Sequence, residues 1–489
     1  MSDRRRKHWR SERIAALGPA LVAAMLEAAC GATTSVTAPE NAPPTAAVTS
    51  CTPGDAESSV PYLVRDIKPG HEDSIPSGFF SISGRLFFRA SDGEHGSELW
   101  ATDGTAAGTE LVMDVCPGPC HGRPEAFVAA GERILFAADD GVHGRELWVT
   151  DGTAAGSRLV ADLHPGTDSS DPQTFAPLDD GRVLINAIGP DGSQQLWTTD
   201  GTAVQFIRQI SKGRYEYDWF RWQRAGSRLF LELRDDLVGK ELWVTDGTTD
   251  GTVRVTDLDP GPADGVELYG AGELDSILFF PGVTPGLGWD LWRSDGTPRG
   301  TRSMGAGFIG LYGVPATTWG DHVFFHGSYS GAAGNGGLWK TDGRLLGTSR
   351  VSAIQPCGLF PGPTTLFVCA SGDGSLRRRL WTTDGTERGT QELYDIPVSA
   401  TGPYAEFEPR LFFGHRNLVF FWATDNQHGR ELWRSDGTPE GTQLVADINP
   451  GIAPGGGNRI AGFGFGDRIY FPASDGVCGE ELWAYRLPR

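Results

Sequence analysis

The chain has 489 residues and a formal net charge of -20, with 62 acidic against 42 basic side chains. Such a surface repels nucleic acid and anionic lipid, so neither is expected as a partner. Glycine (68 residues) and proline (32) are abundant, but 25 Phe and 15 Trp supply a large core and exclude a disordered chain.

Residues 1–30 open on MSDRRRKHWRSER, pass through an apolar run from Ile14 to Leu26 and end in small residues before Cys30. A charged start, a short apolar run containing Pro19 and a small-residue zone predict a signal peptide, too short to span a bilayer. Ala28-Ala29-Cys30 resembles a bacterial lipobox, whose cysteine becomes lipid-modified, with Glu27 where an apolar residue is usual. Lipidation at Cys30 and ordinary cleavage both stay open. Membrane contact is expected only through such an N-terminal lipid anchor. Residues 31–61, rich in Thr, Ala and Pro, predict a flexible tether.

From Tyr62 the chain repeats. ELWATDGTAAGT from Glu98 returns as ELWVTDGTAAGS from Glu146, ELWVTDGTTDGT from Glu241 and ELWRSDGTPEGT from Glu431. Weaker copies begin at Gln195, Asp290, Gly337 and Arg379, and ELWAYRLP from Glu481 closes the chain. The unit 124–163 reads as four short strand-like runs, EAFVAA, RILFAA, ELWVT and SRLVADL, separated by Gly/Asp turns. That is a four-stranded antiparallel meander. Neighbouring Leu147 and Trp148 point to opposite faces, so both are buried only where both faces of the sheet are covered. Sheets stacked face to face meet that demand and predict an all-β, closed β-propeller of about nine blades over residues 62–489. Each buried Trp contributes up to about 5 kcal/mol before entropy. The recurring Asp-Gly-Thr is read as structural, its carboxylate taking N–H groups across the turn and its Gly adopting the left-handed conformation. It resembles the Asp boxes of sialidase propellers.

The ends of the chain fit together. YLVRDIKPG from Tyr62 matches the fourth strand of a unit, as in LVMDVCPG from Leu111, LVADLHPG from Leu159 and LVADINPG from Leu444. The C-terminus supplies only the other three strands. The head is therefore predicted to complete the last blade and close the ring.

The phrase ELWxTDGTxxGT followed by LVxDIxPG resembles the bacterial ELWxxDGT-repeat family, sometimes labelled hyalin-like. The resemblance implies a secreted, repeat-built protein of poorly defined activity. Around Asp290, Gly337 and Arg379 it supports the fold only.

Six cysteines lie beyond Cys30, and an even count in an exported chain predicts disulfides. The repeat register places Cys116 and Cys120 in one inter-blade loop. Cys357 falls in the equivalent loop of a later blade, Cys369 at the end of that blade's second strand, and Cys478 between the second and third strands of the last blade. The expected pairs are Cys51–Cys478, Cys116–Cys120 and Cys357–Cys369. The first requires the segment before Tyr62 to run back along its blade. No CxxC occurs, and no metal site is expected.

His95, His143 and His428 recur in DGxHG-like loops, with Cys478 at the matching place, on four neighbouring blades at the cysteine-bearing end. A ligand site there competes with plain hairpin capping by each His. Asp66, Asp114, Asp162, Asp257, Asp395 and Asp447 recur before PG-type turns. Acidic rings can hold calcium, but one Asp per blade disperses the ligands; turn capping is the preferred role, and no cofactor other than calcium comes into question. RYEYDWFRWQR, from Arg214 to Arg224, breaks the repeat and gathers Tyr215, Tyr217, Trp219 and Trp222 beside three Arg. Aromatics with Arg suit sugar stacking or anchoring of a protein partner, or simply fill a blade. Nothing resembles GxSxG, HExxH, a phosphate loop or a dinucleotide fingerprint. The expectation is an exported protein, of the cell envelope or secreted, that binds a protein or glycan on its loop-rich face. A polysaccharide hydrolase or lyase and a structural coat or adhesion component are the alternatives.

Overall fold

A computed structural model describes residues 51–211, 221–305, 314–328, 336–344, 346–371, 379–394, 410–425, 427–456 and 462–488. Its strands form nine four-stranded antiparallel sheets, with no helix among the described residues. Blade 1 comprises Ser77–Ile82, Arg85–Ser91, Ser97–Thr102 and Glu110–Met113. Blade 2 comprises Glu125–Ala130, Arg133–Asp139, Arg145–Thr150 and Arg158–Ala161, the four runs expected of that unit. Blades 3 to 8 follow in chain order over 173–211, 221–254, 272–303, 317–352, 355–394 and 410–444. First strands pack on first strands of neighbouring blades and line the inside of a nine-bladed propeller.

The alternation read at Leu147 and Trp148 decides the packing. Trp148 turns toward blade 1, among Phe87, Leu99 and Ala101. Leu147 turns toward blade 3, among Val183, Ile185 and Ala187. Each apolar cluster joins two neighbouring sheets in this way, so the core lies between blades. The repeat Trp are not equivalent, however. Trp100, Trp148, Trp243, Trp339, Trp433 and Trp483 are buried, whereas Trp197, Trp292 and Trp381 are half-buried.

Blade 9 is composite. Phe463–Phe465, Arg468–Ala473 and Glu481–Arg486 come from the C-terminus, and Tyr62–Arg65 pairs antiparallel with the last of these. Tyr62 lies opposite Ala484 and Leu63 opposite Trp483. The seam to blade 1 is a full core of Tyr62, Val64 and Leu482 against Leu86, Phe88 and Trp100. Ahead of the latch the chain doubles back, with the Gly54 amide donating to the Leu63 carbonyl at 2.9 Å. Arg468 donates to the Ala56 carbonyl at 3.0 Å, and Arg486 pairs with Glu57. That return carries Cys51 to Cys478, with Cα atoms 5.4 Å apart.

The other expected disulfides, Cys116–Cys120 and Cys357–Cys369, are also formed. One placement differs from expectation. Cys357 lies inside the strand Gln355–Pro361, at a register shift beside Gly358, which itself faces Cys369. Three disulfides suit folding in an oxidising compartment.

Candidate functional site

An antiparallel meander has two unlike faces. One carries the turns between first and second strands and between third and fourth strands, including every Asp-Gly-Thr. The other carries the loops between second and third strands and the connections between blades.

On the first face each Asp-Gly-Thr closes a hydroxyl–carboxylate network. In blade 1, Asp103 Oδ1 accepts the Thr105 amide at 2.9 Å and the Thr105 hydroxyl at 2.7 Å. The Thr102 hydroxyl accepts the Gly104 amide, and the Thr102 and Thr109 hydroxyls lie 2.7 Å apart. The same pair recurs as Thr150 with Ser157, Thr245 with Thr252 and Thr383 with Thr390. These hydrogen bonds hold Asp200 down at about 2, its largest support being the Thr202 hydroxyl. The middle glycine has a second duty. Gly152 has φ +91°, and an added Cβ would strike Phe87 of the preceding blade. Its carbonyl accepts Arg85 of that blade, as the Gly247 carbonyl accepts Arg182 at 2.9 Å. Asp-Gly-Thr is thus a turn lock and a junction to the preceding blade.

The second face holds the element missed in the sequence. Glu98, Glu146, Glu241, Glu431 and Glu481 are fully buried. Each lies beneath the loop leading to the next blade and accepts its hydrogen bonds. Glu146 takes the Leu163 and Ser170 amides at 2.8 and 2.7 Å and the Ser170 hydroxyl at 2.6 Å. Glu98 takes Val115 and Gly122, and Glu481 takes Ile67, Lys68 and the Ser74 hydroxyl. Burial pushes Glu98 up to about 7, Glu481 to about 8 and Glu431 to about 9, against the donors that favour the charged form. The five loops so held contain Asp-x-x-Pro-Gly, starting at Asp66, Asp114, Asp162, Asp257 and Asp447. The four blades that lack Glu at this place are not followed by that loop, a correlation visible in the chain itself.

The Asp-x-x-Pro-Gly aspartates cap their own turns. Asp66, Asp114 and Asp162 accept the amides of Gly70, Gly118 and Gly166 at 3.4, 3.2 and 3.4 Å. Asp395 lies outside the described residues. Among the described residues no group of three or more His, Cys, Asp or Glu could hold a metal ion.

His95, His143 and His428 stand on blades 1, 2 and 8, each held by the Asp three residues before it. Their Nδ1 atoms lie 2.8, 2.7 and 2.7 Å from Asp92, Asp140 and Asp425. The hairpin caps are these aspartates rather than the histidines. Asp92 accepts the Glu94 and His95 amides, and Asp140 those of Val142 and His143. The hydrogen bond that His95 Nδ1 donates to Asp92 raises the His95 pKa, and the one His143 donates to Asp140 raises that of His143. Each His is tied to its own hairpin, and the described contacts bring none of the three to another. Asp475 builds the same cap at blade 9, where Cys478 replaces His and enters the disulfide.

Of the aromatic stretch, Tyr215, Tyr217 and Trp219 lie outside the described residues, as does Cys30. Trp222 is half-buried against the core between blades 3 and 4. Arg221 stacks 4.9 Å from the Tyr269 ring centre and pairs with Glu267, on the connection to blade 5. What the second face leaves over is aliphatic. Val142, Leu237, Leu287 and Ile452, at loop tips, are 62%, 79%, 67% and 74% exposed.

No protein-family model matches the chain, and no curated protein resembles it in sequence. Among solved structures it is similar to puromycin hydrolase, at 14% identity over 76% of this chain and 53% of that one, with TM-score 0.38. It is similar to the β-propeller domain of the Trilobed protease from Pyrococcus furiosus at 13% identity, over 67% and 99%, with TM-score 0.33. A prolyl endopeptidase structure matches at 10% identity over 77% and 50%, with TM-score 0.41. The chain spans about half the length of the hydrolase and the endopeptidase. Likeness of this extent carries no argument about activity.

Proposed function

We propose that the protein is an exported binding module of the ELWxxDGT-repeat type, docking a partner at the cell surface through its loop-rich face. The observation that carries this reading is the set of aliphatic tips Val142, Leu237, Leu287 and Ile452. The fold makes no use of them, yet Val142 and Leu237 stand on hairpins capped by Asp140 and Asp235, Ile452 on the loop held by Glu431, and Leu287 on a turn closed by its own amide to the Thr284 carbonyl. Exposed aliphatic side chains on a fixed frame lose little entropy on docking and gain burial, which favours a protein partner over a glycan. The carboxylates with raised proton affinity do not argue for catalysis, because their oxygens are spent on backbone amides of the scaffold.

The test is saturable binding of the purified chain to intact cells of the producing organism. Protease treatment of the cells is expected to remove binding, and periodate oxidation of surface sugars to leave it. Replacing Val142, Leu237 and Leu287 together by Ser is expected to weaken it about tenfold or more, at unchanged melting temperature. Undiminished binding by that variant would overturn the reading.

A further inference from the structure

The connection from blade 1 to blade 2 carries a feature that the other glutamate-held connections lack. All five share the Asp-x-x-Pro-Gly turn, and Gly70, Gly118, Gly166, Gly261 and Gly451 hold the same left-handed conformation at its end. Only one of the five is closed by a disulfide, Cys116–Cys120 across Pro-Gly-Pro. Lys68, His164, Asp259 and Asn449 stand where Cys116 stands, and no cysteine takes the place of Cys120 in the other four. The fold therefore builds this turn without a crosslink, and the disulfide is not needed for its shape.

The surroundings suit a bond that opens and recloses. Cys116 is 2% exposed, and an added Cβ at Gly141, on the blade 2 hairpin, would lie 2.9 Å from its Sγ. Cys120 is exposed, whereas Cys51, Cys357, Cys369 and Cys478 are buried or half-buried. An incoming thiol thus reaches one sulfur of the pair and leaves the other as the departing group. The frame does not rely on the bond. Glu98 accepts the Val115 amide just before the ring and the Gly122 amide just after it, and Asp114 accepts the Gly118 amide within it at 3.2 Å. Pro117 and Pro119 restrict the opened segment further. The closure spans a sequence separation of 4, against 427 for Cys51–Cys478 and 12 for Cys357–Cys369, so by loop entropy it adds least to stability.

We propose that Cys116–Cys120 is a thiol–disulfide exchange site that oxidises a dithiol on a partner polypeptide, one equivalent per chain. The partner's thiolate bonds to Cys120 Sγ as the Cys116–Cys120 bond breaks, and the Cys116 thiolate takes up a proton. The partner's second thiol loses its proton, attacks its own sulfur in the mixed disulfide and displaces the Cys120 thiolate, which is protonated in turn. Two electrons and two protons pass to the cysteine pair, and the partner leaves with a disulfide. The site does not depend on docking through the aliphatic tips.

The test is incubation of the native full chain with a reduced peptide containing Cys-Gly-Pro-Cys, followed by alkylation and peptide mapping. Oxidised peptide is expected to form in step with new thiols at Cys116 and Cys120, while the other two pairs stay closed. In graded dithiothreitol, Cys116–Cys120 should open at a concentration at least about tenfold below that needed for either other pair. The double variant Cys116→Ser, Cys120→Ser should melt with the parent and oxidise none of the peptide. The thiol left by Cys116→Ser should react with dipyridyl disulfide about tenfold or more faster than the thiol left by Cys120→Ser, because only Cys120 is exposed. A peptide left reduced, or oxidised equally by the double variant, overturns the proposal. So does opening of this pair only together with the other two, or equal reactivity of the two single variants.

Discussion

Blades 1, 2, 4, 8 and 9 carry Glu before the Leu-Trp pair, and blades 3, 5, 6 and 7 carry Gln195, Asp290, Gly337 and Arg379. In the first group the carboxylate reaches out of its sheet and fastens the start of the next blade. In the second it turns inward or is missing. Gln195 reaches back to Ser193 of its own hairpin at 3.0 Å, the shorter Asp290 accepts its neighbour Leu291 at 2.9 Å, and Arg379 pairs with Glu392 of its own sheet at 2.9 Å. Three of these four blades without the glutamate, half-open on that face, also have their Trp half-buried. The Asp-Gly-Thr network, by contrast, is present in both groups, as at Asp151 in blade 2 and Asp384 in blade 7. The repeat therefore has two separable halves. Glu fastens the inter-blade loops on the loop-rich face, and on the other face Asp-Gly-Thr, present in every blade except 6 and 9, locks its turn against the preceding blade.

The widest gap between the groups is expected at tryptophan. Trp148→Ala should cost about 3–5 kcal/mol, and Trp197→Ala about half as much because part of its ring already meets water. Denaturant unfolding measures both. Equal losses would mean that the two kinds of junction are packed alike.

The glutamates come next. Glu146→Ala leaves two amides and a hydroxyl without their acceptor and should cost about 3 kcal/mol, while Gln195→Ala should cost under about 1 kcal/mol. Hydrogen exchange sharpens the comparison. The Leu163 and Ser170 amides should lose protection in the Glu146 variant while blade 5 is unaffected. Uniform loss around the ring would show that the glutamate acts on global stability and not on its own junction.

The same residues set a pH dependence. Glu98, Glu431 and Glu481 bind their protons more tightly folded than unfolded, because burial penalises the charged form. Their contribution is complete below the unfolded value of about 4.5 and is lost as pH rises through about 7, 8 and 9. The melting temperature should therefore fall between pH 5 and pH 9, and Glu481→Gln should make that fall shallower. A melting temperature that is level or rising over this range would show that the amides around the carboxylates outweigh burial.

How far the sequence reaches follows the range of each interaction. Blade strands, the composite blade 9 and all three cysteine pairs were legible, because period-2 alternation and a 42-to-52-residue repeat fix them. The role of Glu146 was not, because its donors stand 17 and 24 residues away in the approach to another blade. An acidic residue in an alternating strand reads as solvent-facing. The caps at Asp92 and Asp140 are local and were within reach, but the histidines drew attention to the wrong member of each pair. Cys357 was placed in a loop because the repeat register aligns it with the Cys116–Cys120 loop, whereas here the first strand already starts at Gln355.

The smallest effect gives the sharpest test of the two-halves reading, because it predicts no difference. Asp151 and Asp384 each accept the amide and hydroxyl of the Thr two residues on, at 2.9 and 2.7 Å in one and 2.8 and 2.7 Å in the other. Both are exposed, and both titrate below the ordinary carboxylate value, with the Thr hydroxyl as the first cause. Replacing either by Ala removes a surface cap, which costs about 1 kcal/mol, and the two costs should agree within about 0.5 kcal/mol. Because both pKa values are depressed on folding, the loss should be complete above the unfolded value of about 3.8 and fade as pH falls below it. If Asp384→Ala were much the milder, the turn would depend on the glutamate at the other end of its sheet. The half-open blades would then be weakened throughout, not only at their junctions.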